Sequence, residues 1–159
     1  MTTTGSTTGS TGTREKIVPL VTSDTAGPLG AIHLPRLWAK LSLAAANLLP
    51  EGYDECGPGF DQMTLTAMNL DRQKTIDYVR TNRPTYVQFE RWVVEQNGGT
   101  IDPERIRKHN EAVRGYNHAD ALAADMRTSC GLTDRMVTDA VTLNKLEDLD
   151  ELHNQLAGK

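Results

Sequence analysis

The chain has 159 residues, of which 38% are hydrophobic and 24% are charged, a balance that is typical of a globular protein and argues against a disordered or fibrous one. This length predicts a single domain with a buried core. The net charge of −4, with Lys and Arg scattered among the acids, leaves no basic stripe for phosphate groups, so we expect no nucleic-acid partner.

Cysteine usage and hydropathy indicate the compartment. Cys56 and Cys130 lie far apart and have no CxxC or other metal-ligand spacing, so they predict reduced thiols and no metal site. No apolar run approaches the roughly 20 residues that cross a bilayer, and the amino end lacks the basic and apolar regions of a signal peptide. We therefore expect a cytoplasmic protein with no membrane partner.

The amino-terminal part of the chain divides into two irregular segments. Residues 1–13, MTTTGSTTGSTGT, cannot bury enough apolar surface to offset the entropy of ordering, which predicts a disordered tail. Residues 14–34 are interrupted by prolines and glycines throughout, which predicts an irregular arm lying across the body. The helical domain is predicted to span residues 35–159.

The first predicted helix begins at Pro35, which suits a first helical turn, and stops before Pro50. Arg36 and Lys40 share one face of it. The opposite, apolar face follows the i, i+3, i+4, i+7 spacing of a helix and comprises Leu34, Leu37, Trp38, Leu41, Ala45 and Leu48.

Start and stop signals predict the next three helices. A short helix begins at Phe60 after a glycine and proline turn, and Asp71 caps a third helix. Thr85 and Gln88 form a T-x-x-Q capping box for a fourth, which the NGG at positions 97–99 ends.

The carboxyl-terminal part carries similar signals. Asp102 followed by Pro103 starts a helix that Gly115 ends. Asn117 with Asp120 on one side and the CG at positions 130–131 on the other bracket a further helix.

Two last helices are predicted over residues 133–141 and 144–156, the second with an N-x-x-E cap at Asn144 and Glu147. No segment shows apolar and polar alternation bounded by hairpin turns, so strands are not predicted. The fold class is therefore all-α: a compact single domain of seven or eight short helices with an irregular N-terminal arm.

Four segments together resemble a bacterial family known as the domain of unknown function (DUF) 5069 family. They are GAIHLPRLWAKL, GFDQM, RPTYVQFERWVVEQNGG and IRKHNEAVRGYNH, and the resemblance spans roughly residues 28–156. It rests on the order of the segments, and it implies a small bacterial helical domain. It implies no catalytic role, because the family has no established activity.

His33 and Arg36 flank the start of the first predicted helix. Helix amino ends present free N–H groups and a partial positive charge, so a nearby His and Arg would suit an anion or carboxylate. We interpret His33 as a candidate catalytic residue and Arg36 as a candidate ligand-binding residue. The alternative is that His33 packs against Trp38 while Arg36 pairs with a surface acid.

Asp61 belongs to the segment YDECGPGFDQM, which surrounds a proline and glycine turn. Next to Phe60, its carboxyl is predicted to have a raised pKa suited to general acid–base catalysis. Alternatively, Asp61 only complements the dipole of its helix. Cys56 in the same segment has no histidine beside it in sequence, so no thiolate nucleophile is predicted.

The stretch RIRKHNEAVRGYNHAD, residues 105–120, places Asn110 on the same helical face as Ile106 and Val113. An inward polar group costs about 1 to 3 kcal/mol unless it is hydrogen-bonded. Asn110 is therefore a candidate ligand-binding residue and His109 a candidate catalytic residue; the alternative is an asparagine bonded to backbone. His109 and His118 lack metal-ligand spacing.

Two functions stay open, and the sequence does not decide whether the protein is an enzyme. The first is binding or conversion of a small polar or anionic molecule in a pocket near His33, Arg36, Asp61 and Asn110, without an organic cofactor. The alternative is a protein–protein interaction or homo-oligomerisation module that uses the leucines of the last helix. A pocket where three of the candidate side chains meet would favour the first function.

Overall fold

Seven α-helices make up most of the computed structural model, which describes residues 14–159. The predicted tail, residues 1–13, lies outside the described residues. Across the described part, strand pairing is limited to isolated bridges, so the all-α prediction is confirmed. No described helix combines the length and the apolar composition needed to cross a membrane. The helices are α1 (Leu34–Ala45), α2 (Phe60–Ala67), α3 (Arg72–Asn82), α4 (Tyr86–Gln96), α5 (Pro103–Arg114), α6 (Asp120–Ser129) and α7 (Ala140–Leu156).

The predicted helix caps of α3, α4 and α5 are confirmed. The side chain of Asp71 accepts a hydrogen bond from the first turn of α3, and Asp102 does the same for α5. Thr85 and Gln88 form both halves of the capping box of α4. Each cap satisfies backbone N–H groups that have no partner within the helix.

The predicted end of α1 is wrong, because Leu48 lies outside the helix. Asn47 has a left-handed φ of 57°, and the Leu48 amide donates to the carbonyl of Leu43. The Asn47 amide donates to the carbonyl of Ala44. These bonds form a Schellman motif, in which asparagine takes the left-handed position that glycine usually occupies.

The prediction of two separate helices near the carboxyl end is also wrong. Residues 132–139 are irregular, and α7 begins at Ala140 with Asp139 as its cap. The Asp139 carboxylate accepts a hydrogen bond of 2.8 Å from the Thr142 amide. Asn144 therefore lies within the second turn of α7, and the helices number seven within the described range.

Three apolar clusters form the core. The largest lies where α1 packs against α3 and α4, the second joins the arm to α2, α5 and α7, and the third lies between α6 and α7. Burial of such side chains from water is the main stabilising contribution to a domain of this size. Their central members are Leu37, Val79 and Phe89; Ile32, Phe60 and Val113; and Ala123, Met126 and Leu143.

The arm crosses the helical body in an irregular conformation, as predicted. The Ile17 amide donates to the carbonyl of Leu48, and the Leu29 amide donates to a Glu90 carboxylate oxygen at 2.9 Å. Val18 is buried. These hydrogen bonds fix the arm on the helical body, and the arm ends at His33, the residue directly before α1.

Candidate functional site

A cavity of about 750 Å³ lies between the start of α1, the loop of residues 51–59 and the start of α2 on one side. Residues 116–118, α6 and residues 144–151 of α7 form the other side. Its volume falls in the range of about 300 to 1,000 Å³ found for small-molecule sites. Three of the predicted site residues line it: His33, Arg36 and Asp61. Three of the five candidate polar side chains therefore line one concave pocket, and two do not.

His33, Asp61 and Lys40 form a buried polar group in the cavity wall. The Nε2 atom of His33 lies 2.8 Å from Oδ1 of Asp61, and Lys40 Nζ lies 2.5 Å from Oδ2. The backbone amide of Gly57 also donates to Oδ2, at 2.6 Å. Both oxygens of Asp61 are thus occupied, and the His33 and Asp61 side chains are each only 3% exposed.

The helical register of α1 brings its polar side chains to the cavity. Arg36 and Lys40 follow His33 by three and seven residues, which places all three on one face. His33 itself has a left-handed φ of 65°. This conformation is uncommon for a residue that carries a Cβ atom, and here it ends the arm and starts α1.

The pKa of Asp61 moves in the opposite direction to the sequence prediction. Burial acts to raise this pKa, but the hydrogen bond from His33 and the charge of Lys40 outweigh it and lower the pKa to about 2. The prediction of a raised value considered only the apolar neighbour Phe60. Asp61 is therefore ionised at neutral pH and serves as a hydrogen-bond acceptor rather than as a general acid.

Burial lowers the pKa of His33 below its ordinary value, although the hydrogen bond to Asp61 acts against this shift. The imidazole is therefore neutral at pH 7. Because ionised Asp61 can only accept, Nε2 of His33 carries the proton and Nδ1 holds a lone pair. Nδ1 is buried and has no hydrogen-bond partner among residues 14–159.

A second buried ion pair joins α1 to α7. Arg36 donates to both oxygens of Asp148, at 2.6 and 3.0 Å, and to the backbone carbonyls of Pro19 and Val21, each at 2.8 Å. The Tyr53 hydroxyl donates to the same carboxylate at 2.9 Å. Arg36 therefore lies in the cavity wall with its guanidinium already bound by protein oxygens.

His109 and Asn110 lie outside the cavity lining, on the far side of the segment that precedes His33. The Ile32 amide donates to Oδ1 of Asn110 at 3.0 Å, and Asn110 Nδ2 donates to the carbonyl of Gly30 at 2.8 Å. The ring of His109 donates from Nε2 to the Ile32 carbonyl at 3.0 Å. Both side chains thus bind the backbone of the segment that leads into His33.

Sequence reasoning missed the two charged partners in this site. Lys40 lies seven residues after His33, a spacing that does place it on the same helical face. Asp148 lies between leucines in α7 and is 112 residues from Arg36, and no local pattern distinguishes it from its acidic neighbours. Within residues 14–159, no three or more His, Cys, Asp or Glu side chains are grouped so as to hold a metal ion.

Comparison with known proteins adds no relative. A scan of the chain against protein-family models found no match, and a search of curated proteins found no similar sequence. The resemblance to the DUF5069 family stays a prediction from the four sequence segments.

Proposed function

We propose that this cavity binds a small polar molecule and that His33 exchanges a proton with it. The observation that carries the proposal is the buried His33 side chain, which lines the cavity and is bonded to Asp61 through Nε2, while its Nδ1 has no partner among residues 14–159. An ionised carboxylate that holds one imidazole nitrogen keeps the other available as a base. The neutral form required of a base is the one that burial favours at pH 7.

Packing alone does not account for this histidine. A left-handed backbone at a residue with a side chain costs on the order of 1 to 3 kcal/mol, which glycine at position 33 would avoid. A buried nitrogen without a partner adds a further cost. Such costs concentrate at functional sites, where a ligand rather than the protein supplies the missing partner.

Thermal unfolding with a panel of amines, carboxylates, phosphates and amino acids tests the proposal. A ligand at about 100 times its dissociation constant adds roughly 2.7 kcal/mol to stability, which raises the midpoint by several degrees. We expect a shift in the wild type that is lost in His33→Ala. The matched control is His153→Ala, because His153 is exposed on α7 and does not line the cavity. A panel without any shift would contradict the proposal.

The alternative function is self-association through α7. Leu149 and Leu156 favour it, since they are 52% and 80% exposed. Sedimentation across a concentration series measures it directly. A concentration-dependent dimer that Leu149→Glu and Leu156→Glu abolish, together with a silent ligand panel, would favour this alternative over the cavity.

Two further parts of the proposal, the cellular compartment and the protein family, are those predicted from the sequence. We place the protein in the cytoplasm, and free Cys56 and Cys130 suit its reducing conditions. Membership in the DUF5069 family is part of this proposal and is supported by the four sequence segments.

A further inference from the structure

We infer that the ligand of this cavity carries a positively charged nitrogen, as in a small alkyl amine. This inference rests on the proposed function, because it names the class of molecule that the same cavity binds. Three observations carry it: the charge of the wall, the partners of its two cationic side chains, and the unpaired acceptor of His33.

Carboxylates dominate the cavity wall. They outnumber the cationic side chains, which are Arg36 and Lys40. The acidic residues that line the cavity are Glu51, Asp54, Asp61, Glu147, Asp148, Asp150 and Glu151.

The two cationic side chains are already bound. Arg36 is paired with Asp148, and Lys40 with Asp61. Each positive charge is thus neutralised by a buried carboxylate of the protein, so these two pairs add no net charge to the wall. The remaining acids form no ion pair with any Lys, Arg or His of residues 14–159; they are Glu51, Asp54, Glu147, Asp150 and Glu151.

Like charges around one concave surface reinforce each other and attract ions of the opposite sign. Partial burial and the negative charge of Asp148 raise the pKa of Glu147, although Arg36 and His118 act against this shift. A bound ammonium group would add a positive charge that favours the ionised form of this acid.

The inner wall presents an acceptor rather than a donor. His33 is 3% exposed, lines the cavity and has a lone pair on Nδ1 without a partner among the described residues. An N–H group of an amine can donate to this atom, whereas an ionised carboxylate oxygen cannot. Phe60, Tyr53 and Tyr116 also line the cavity, and aromatic rings attract cations through their faces.

Isothermal titration calorimetry with putrescine and succinate separates the two charge classes, because both are four-carbon molecules with opposite charges. We expect putrescine to bind the wild type and succinate not to bind. The double variant Glu147→Gln with Glu151→Gln should weaken putrescine binding by about tenfold or more, since each substitution removes a cavity charge. The control is Glu15→Gln with Glu111→Gln, which changes the net charge equally at exposed positions outside the cavity.

The outcomes distinguish this inference from the proposed function. Binding of succinate or phosphate that His33→Ala abolishes, without putrescine binding, would overturn the amine and leave the cavity function standing. Putrescine binding that both double variants weaken equally would indicate general attraction to an acidic protein and overturn the site. Binding of neither class would overturn the amine inference, and the full thermal-unfolding panel would then decide the proposed function separately.

Discussion

The carboxylate of Asp61 lies between His33, the residue directly before α1, and Lys40 of α1, with His33 Nε2 at 2.8 Å from one oxygen and Lys40 Nζ at 2.5 Å from the other. A single buried acid thus orients the histidine and neutralises the lysine. Because each of these side chains is at least nine-tenths buried, removing the Asp61 carboxylate leaves Lys40 without its counterion in a medium of low polarity.

Asp61→Asn should destabilise the fold strongly. The substitution leaves Lys40 as a buried charge without a counterion, and breaking a buried pair in this way costs about 3 to 5 kcal/mol. Urea unfolding of the variant and the wild type measures the change. Glu55→Gln provides the control, because its ion pair with Arg80 is partly exposed and such pairs contribute at most about 1 kcal/mol. Equal losses in both variants would contradict the buried pair.

Stability should fall on acidification below pH 4 because of Asp61. Its pKa is about 2 in the folded protein against an ordinary value of 3.8, so the contribution is complete above about pH 4 and is lost as the pH falls towards 2. The shift corresponds to roughly 2 kcal/mol. Urea unfolding at a series of pH values measures this loss. The unfolding free energy of the Asp61→Asn variant should lack the part of the pH dependence that Asp61 causes.

A separate loss of stability should begin near pH 6.5. Burial lowers the pKa of both His33 and His109 from that ordinary value, so on acidification the unfolded chain takes up protons before the folded protein does. Stability is therefore complete above about pH 6.5 and decreases as the pH falls below it. His33→Gln and His109→Gln should each reduce the dependence of the unfolding free energy on pH between pH 7 and 5, as measured by urea unfolding. A slope that neither variant changes would contradict the buried neutral imidazoles.

Joint removal of Arg36 and Asp148 should be better tolerated than removal of either charge. Arg36→Met leaves the Asp148 carboxylate buried without its cation, for a loss of about 3 to 5 kcal/mol. The double variant Arg36→Met with Asp148→Leu removes both charges and should recover most of that loss, as measured by urea unfolding. Additive losses in the double variant would show that the two side chains do not act as a pair.

Asn110→Ala should affect His33 from outside the cavity. The side-chain amide of Asn110 accepts from the Ile32 amide and donates to the Gly30 carbonyl, and removing these two hydrogen bonds should lower the free energy of unfolding by about 1 to 3 kcal/mol. Since this segment leads into the left-handed residue 33, the pKa of His33 measured by NMR titration should also move towards 6.5. Asn82→Ala is the control, because the Asn82 side chain is exposed and donates to the Tyr78 carbonyl of its own helix. An unchanged His33 titration would limit Asn110 to a structural role.

Local sequence determined most of the helices and their starts. Asp71, Thr85, Gln88 and Asp102 bond to backbone groups two or three residues away, so their caps depend on little beyond the adjacent chain. The register of α1 likewise places Arg36 near the cavity from spacing alone. Where two local signals compete, the pattern fails: Asn144 resembles a cap, but Asp139 starts the same helix earlier.

Tertiary structure alone decided the partners in the cavity and their ionisation. Asp148 meets Arg36 across 112 residues, and Asn110 meets Gly30 across 80, contacts that no local period encodes. The pKa of Asp61 followed from Lys40 and His33 rather than from its sequence neighbour Phe60. Helix caps and faces arise from interactions within a turn or two of chain, whereas charge pairing and burial arise only when distant segments pack together.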